Sequence, residues 1–192
     1  MMHKSQIDIL PPEPKPHSEQ MTMFERPAKL LPNTMLAAGS FSKQLPPNEK
    51  VMALSWKQPF AELMLHEKME TRTWHTKYRG WVLICASKQG YNFNQVHAIA
   101  GDKQIVRITD FLGRNNDHWL QHYRSGIAIA IGKLVDCRKM KKEDEDKCFV
   151  SYTPNLFCHL YENVKEISPL AWKGCQGWKQ LSENDKLSII VL

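Results

Sequence analysis

Lys68, Glu70 and Arg72 put two cations and a carboxylate within five residues, and Trp74 follows two positions later. Side chains alternate along an extended strand, so Glu70, Arg72 and Trp74 share one face, with Thr71 and Thr73 on the other. Arg72 offers a planar fork suited to a phosphate or a base edge, and Lys68 a point charge. Glu70 could accept a hydrogen bond from the exocyclic amine of a base, or act as a general base if its pKa is raised. The same residues also admit a plainer reading, in which Glu70 and Arg72 pair with each other and only hold the mouth of the fold. Lys68 and Glu70 are the candidates for proton exchange should the site be catalytic.

Trp74, Lys77, Tyr78 and Arg79 make a second cluster. Aromatic faces interleaved with cations suit single-stranded nucleic acid, which stacks its bases and needs its phosphates neutralised. Alternatively, Trp74 packs in the core while Lys77 and Arg79 form a solvated turn. Ser55 and Lys57 lie at a strand end beside this region and complete the candidate binding set. Ser55 could supply a hydroxyl, but no base to activate it is visible. Lys173-Gly174-Cys175-Gln176-Gly177 could bring backbone amides to a phosphate, with Lys173 adding charge; the same pattern is common in plain turns. His118 and His122 are spaced i, i+4 but have no third ligand at a diagnostic distance; His75, beside Trp74, could stack on or bond to a base but reads first as a surface residue. No metal site and no cofactor are expected.

These groups need elements to position them. Val51-Met52-Ala53-Leu54 reads as a short buried strand. Pro59 suits a helix first turn, with Phe60, Leu63 and Met64 on one stripe. Residues 69–74 alternate as a strand, and Trp81 to Ala86 is a continuous apolar run of the central-strand type. Phe93 to Ala100 can be a short helix ended by Gly101. Ile127 to Cys137 and Phe157 to Ile167 read as further strands. Arg138 to Lys147 carries five basic and four acidic residues and reads as a solvated loop. Strands in this order with few helices imply an α+β fold, a small mixed barrel or a strongly bent sheet.

Eight of the eleven prolines fall within residues 1–48. Proline lacks the amide donor and disfavours helix in the residue before it, so this segment reads as an extended, poorly packed tail. It could recruit a protein partner or be a plain leader. The domain proper is expected over 49–192. In a chain of 192 residues, a 42% hydrophobic content supports a real core, and a net charge of +6 weakly favours a polyanionic partner. Five cysteines with no Cys-x-x-Cys pair argue against a zinc ribbon or a disulfide framework, and for reduced thiols in the cytoplasm. No apolar run reaches the length that spans a bilayer, so no membrane partner is expected.

Ala53 to Ala61, Glu70-Thr71-Arg72-Thr73-Trp74, Tyr78-Arg79-Gly80 and Ile84-Cys85-Ala86-Ser87 resemble the activating signal cointegrator homology (ASCH) family. Leu160-Tyr161-Glu162-Asn163 and Trp172 to Trp178 look like that family's late strand and glycine loop, so the resemblance runs over roughly residues 50–180. It implies a β-barrel of the PUA-like superfamily with helices packed on its sides. It also implies recognition of RNA or a modified nucleobase, some members being similar to acetylated-cytidine amidohydrolases and others to ribonucleases. The family's hallmark is Gly-x-Lys-x-x-Glu-x-Arg. Glu70 and Arg72 match its end, while Lys68 stands two residues before Glu70 rather than three, and the glycine is absent. A shortened turn can point the Lys68 ammonium into the cleft or leave it on the rim. The expected function is an RNA- or nucleotide-binding module. The alternatives are a hydrolase acting on a modified nucleoside or RNA, and a protein-interaction scaffold working through the tail.

Overall fold

The computed structural model describes residues 38–46, 48–112, 124–174 and 176–192. His118, His122, Cys175 and residues 1–37 of the proline-rich segment lie outside the described residues. The strands are β1 (Gly39–Ser40), β2 (Val51–Trp56), β3 (Glu70–Arg72), β4 (Gly80–Ala86), β5 (Ile127–Lys139), β6 (Phe157–Ala171), β7 (Lys179–Gln180) and β8 (Ile190–Val191). The helices are α1 (Phe60–Leu63), α2 (Phe93–Leu112), α3 (Glu145–Cys148) and α4 (Glu183–Leu187). The fold is α+β.

One mixed sheet of eight strands runs in the order β1-β8-β6-β5-β4-β2-β7, with β3 paired to β6 off that path. β2 and β4 are parallel, aligning Ser55 with Cys85 and Trp56 with Ala86; the other pairs are antiparallel. The expected barrel is not closed among the described residues. β1 and β7, the two ends of the strand order, are two residues each; β1 pairs with β8 and β7 with β2, and no ladder joins them to each other. The sheet nevertheless curls. Phe41 beside β1, Leu181 beside β7, Ile189 and Val191 at β8, and Val51, Leu83 and Ile131 from the centre all join one core cluster. Opposite residues of β2 and β4 (Leu54, Trp56, Val82, Ile84) enter a second cluster with Ala61 and Met64. Both faces of these strands are thus buried, which is why they read as unbroken apolar runs.

Two sequence expectations need correction. Residues 39–44 belong to the domain rather than the tail: Gly39 pairs with Val191, and Phe41 is fully buried, its amide donating to the Ile189 carbonyl. The charged run 138–147 is partly solvated, with Lys139, Lys141, Lys142, Glu143 and Lys147 exposed, but it is folded into the end of β5 and a helical turn rather than a loop. Asp144 can be buried because Arg138 grips both its oxygens (2.6 and 2.8 Å) and the Lys141 amide donates to it (2.8 Å), capping the 3-10 turn that leads into α3. These contacts hold the Asp144 carboxyl down at about 2.

Gly101 does end the first half of α2, but a second half continues to Leu112. Its φ of 75° and a neighbouring Ser151 Oγ, 2.6 Å from where a Cβ would stand, leave room only for glycine. Ser151 occupies that space to donate to the Ala100 carbonyl (2.8 Å), satisfying a helix end that the break exposes.

Candidate functional site

The ends of the parallel strands β2 and β4 open onto a cavity of about 390 Å³, within the size range of small-ligand sites. β3 supplies its charged wall. Lys68 and Glu70 are 3% and 6% exposed, so the shortened turn points the ammonium inward and not onto the rim. Lys68 Nζ donates to Glu70 Oε2 (2.8 Å) and to the Met69 carbonyl (3.0 Å), with the Phe60 ring 5.4 Å away. Arg72 Nε lies 3.0 Å from Glu70 Oε1, its Nη2 donates to the Ser55 carbonyl (3.0 Å), and its guanidinium stands 5.1 Å from the Trp56 ring centroid.

Glu70 and Arg72 do close on each other, and they do so in the wall of an open cavity. Burial would raise the Glu70 pKa, but Lys68 and Arg72 on either side outweigh it and hold the carboxyl below its ordinary range. A general base needs the opposite shift. Glu70 therefore acts as an anionic clamp that fixes two cations.

The rest of the lining is aromatic, hydroxylic and aliphatic, the last from Leu54, Ile99 and Val150. Trp56, Trp74 and Tyr91 give ring surface; Ser55, Thr71 and Ser87 give hydroxyls. Lys57 lies over the Tyr91 ring at 4.5 Å. Three cationic side chains, Lys57, Lys68 and Arg72, thus face the cavity against one carboxylate.

Trp74 is half-buried and held edge-on between His159 (4.9 Å) and Trp178 (5.7 Å), so it forms a fixed wall. Lys77, Tyr78 and Arg79 do not line the cavity. The Tyr78 hydroxyl lies within hydrogen-bond distance of the Trp81 and Lys50 carbonyls (2.9 and 3.0 Å). Burial, with Glu49 adding to it, pushes the Tyr78 phenol up to about 12. Gly80 has a φ of 144°, and a Cβ there would strike that hydroxyl at 2.7 Å. Arg79 donates to the Thr76 and Tyr78 carbonyls (3.0 and 2.9 Å) and pairs with Asp136 at 3.1 Å. The Tyr-Arg-Gly signal is thus a turn lock, in which Lys77 and Arg79 both stay exposed as the solvated-turn reading has it. Lys173 stands outside this cavity, in a neighbouring one.

Sequence reasoning alone misses Tyr91, Ser87 and His159. His159 lies directly opposite Glu70 in the β3–β6 ladder, fully buried, and its Nε2–H donates to the Trp74 carbonyl (3.2 Å). Its Nδ1 is buried with no partner. Burial is the main reason its pKa falls to about 4, so the ring is neutral. Only the strand pairing reveals its place behind the clamp.

Among the described residues no three His, Cys, Asp or Glu side chains cluster to hold a metal ion, and no helix is long and apolar enough to cross a membrane. No family model matches the chain. It is similar to Activating signal cointegrator 1 of Mus musculus, with 25% identity over 131 residues. That similarity covers 62% of this chain and 22% of the relative's length.

Proposed function

We propose that the domain, from Gly39 onward, forms an ASCH-like, PUA-like module that binds RNA or a nucleotide in the cavity walled by Lys68, Glu70 and Arg72. The observation that carries this reading is the Glu70 clamp. One buried carboxylate holds an ammonium at 2.8 Å and a guanidinium at 3.0 Å beside aromatic walls, within a cavity of about 390 Å³. Orienting two cations in advance removes part of the entropy cost of gripping a base edge or phosphate. Trp56, Trp74 and Tyr91 offer apolar faces to a base or ribose. The similarity to Activating signal cointegrator 1 and the ASCH-like motifs support the same reading.

Hydrolysis of a modified nucleoside or RNA is the weaker alternative. Glu70 has both oxygens engaged and its pKa lowered, so it is poorly placed to exchange protons with Lys68. Fluorescence anisotropy with a labelled single-stranded RNA tests the binding reading. Affinity should fall steeply as salt rises and be weakened by Arg72→Ala. Absent or salt-independent binding would sink it.

A further inference from the structure

A second cavity, of about 680 Å³, adjoins the first. The two share Ser55 and Ser87, at the ends of β2 and β4. Its lining includes two lysines, Lys88 and Lys173, and no carboxylate, over an apolar floor that includes Ala86 and Trp172. The glycine loop serves both spaces: Lys173 and Gly174 face the second, Gln176 and Gly177 the first. Gly174 comes so close to the divide that a Cβ there would sit 3.4 Å from Ser55 Oγ. Ser55 in turn accepts the Arg72 guanidinium through its carbonyl, tying the divide to the clamp.

The lysine on the β4 side is held along the wall. Lys88 runs across Gly126, where a Cβ would meet its Cγ at 3.0 Å and its Cε at 3.5 Å. Gly126 is fixed by its own amide donating to Ala86 (2.8 Å) and its carbonyl accepting from Trp172 (3.2 Å). An apolar floor with two cations and no anion matches the chemistry of a nucleotide, whose base and sugar prefer apolar contact and whose phosphate needs positive charge.

We propose that the second cavity is the subsite for an adjacent nucleotide, so that the ligand is at least a dinucleotide. The base in the first cavity meets the Glu70 clamp, the neighbouring nucleoside lies over the floor formed with Trp172, and the linking phosphate passes Ser55 and Ser87 toward Lys88 and Lys173. This rests on the first cavity being a base site.

The test compares the four ribonucleosides with the four homodinucleoside monophosphates by titration against the full chain. The best dinucleotide should bind at least about tenfold tighter than its nucleoside, the gain expected of a second nucleoside in apolar contact with the floor and a neutralised phosphate. In Lys88→Ala/Lys173→Ala that ratio should fall toward one, while the melting temperature stays put because both side chains are exposed. A ratio near one in the unmodified chain, or a ratio unchanged in the double variant, overturns the second subsite while leaving the base site standing. Binding of neither ligand class overturns the base site, and the second subsite with it.

Discussion

Lys68 Nζ stands 2.8 Å from Glu70 Oε2, with side chains only 1% and 8% exposed. An ion pair so far from water gives little net stability against an apolar replacement, but breaking it by removing one partner is costly. Glu70→Gln should therefore destabilise the fold by about 3 kcal/mol, because it leaves the Lys68 ammonium buried without its counter-charge. Lys68→Met/Glu70→Gln should recover part of that loss. Urea unfolding of the three proteins checks both, and equal stability of Glu70→Gln and the unmodified chain would show that the pair is not the clamp described.

Arg72 is held by its fork: one edge meets Glu70, another the Ser55 carbonyl, and the face covers Trp56. Lysine keeps the charge and loses the fork. Arg72→Lys should weaken single-stranded RNA binding about tenfold, the scale of one charge-assisted contact, while leaving the salt dependence of affinity nearly unchanged. Lys57→Ala should instead make the plot of log affinity against log salt shallower by roughly 0.7, the loss of about one phosphate contact. Anisotropy titrations at several salt concentrations separate the two effects.

His159 predicts a pH dependence of stability with a definite sign. Its folded pKa of about 4 lies below the ordinary 6.5, with burial the main cause and Glu70 and Arg72 as charged neighbours and His75 as a further titratable one. The unfolded chain therefore takes up a proton in that window while the folded chain does not. Stability should be full above pH 6.5 and fall as the pH drops toward 4, by up to ~3 kcal/mol. Glu70, whose pKa is lowered, adds a further loss only at more acid pH. Chemical denaturation across this range should show the slope in the unmodified chain and a flatter one in His159→Gln. Identical slopes would remove His159 as its source.

The four described thiols, Cys85, Cys137, Cys148 and Cys158, are all buried. Cys148 and Cys158 have their sulfurs 3.6 Å apart within the core. A thiol reagent followed by peptide mapping should modify these four only as fast as the protein unfolds. Rapid labelling of any of them in native buffer would contradict the packing.

The parts of the fold that depend on local pattern were legible in the sequence. The apolar runs of β2 and β4, the alternation of β5 and the glycine break at Gly101 all come from short-range physics. The open edges were not, because whether two-residue strands close a barrel depends on pairings between distant segments. The Arg138–Asp144 grip was hidden for a related reason: a charge run looks solvated until one carboxylate finds a bidentate partner and a capping amide. At the site, Glu70 and Arg72 were readable from alternation alone. The inward course of Lys68 followed from neither composition nor spacing, and His159 entered only through its register with Glu70. Tyr78 and Arg79 carried a binding-like composition, yet the turn that Gly80 permits holds them outside the cavity.

The most direct test is to titrate a short single-stranded RNA into the isotopically labelled chain and follow backbone and tryptophan indole resonances. Binding in the cavity predicts the largest perturbations at Ser55, Trp56, Arg72 and Trp74, lost in Arg72→Ala. Perturbations confined to surfaces away from the β2 and β4 strand ends, or unchanged by that substitution, would contradict a nucleic-acid site built on the Glu70 clamp.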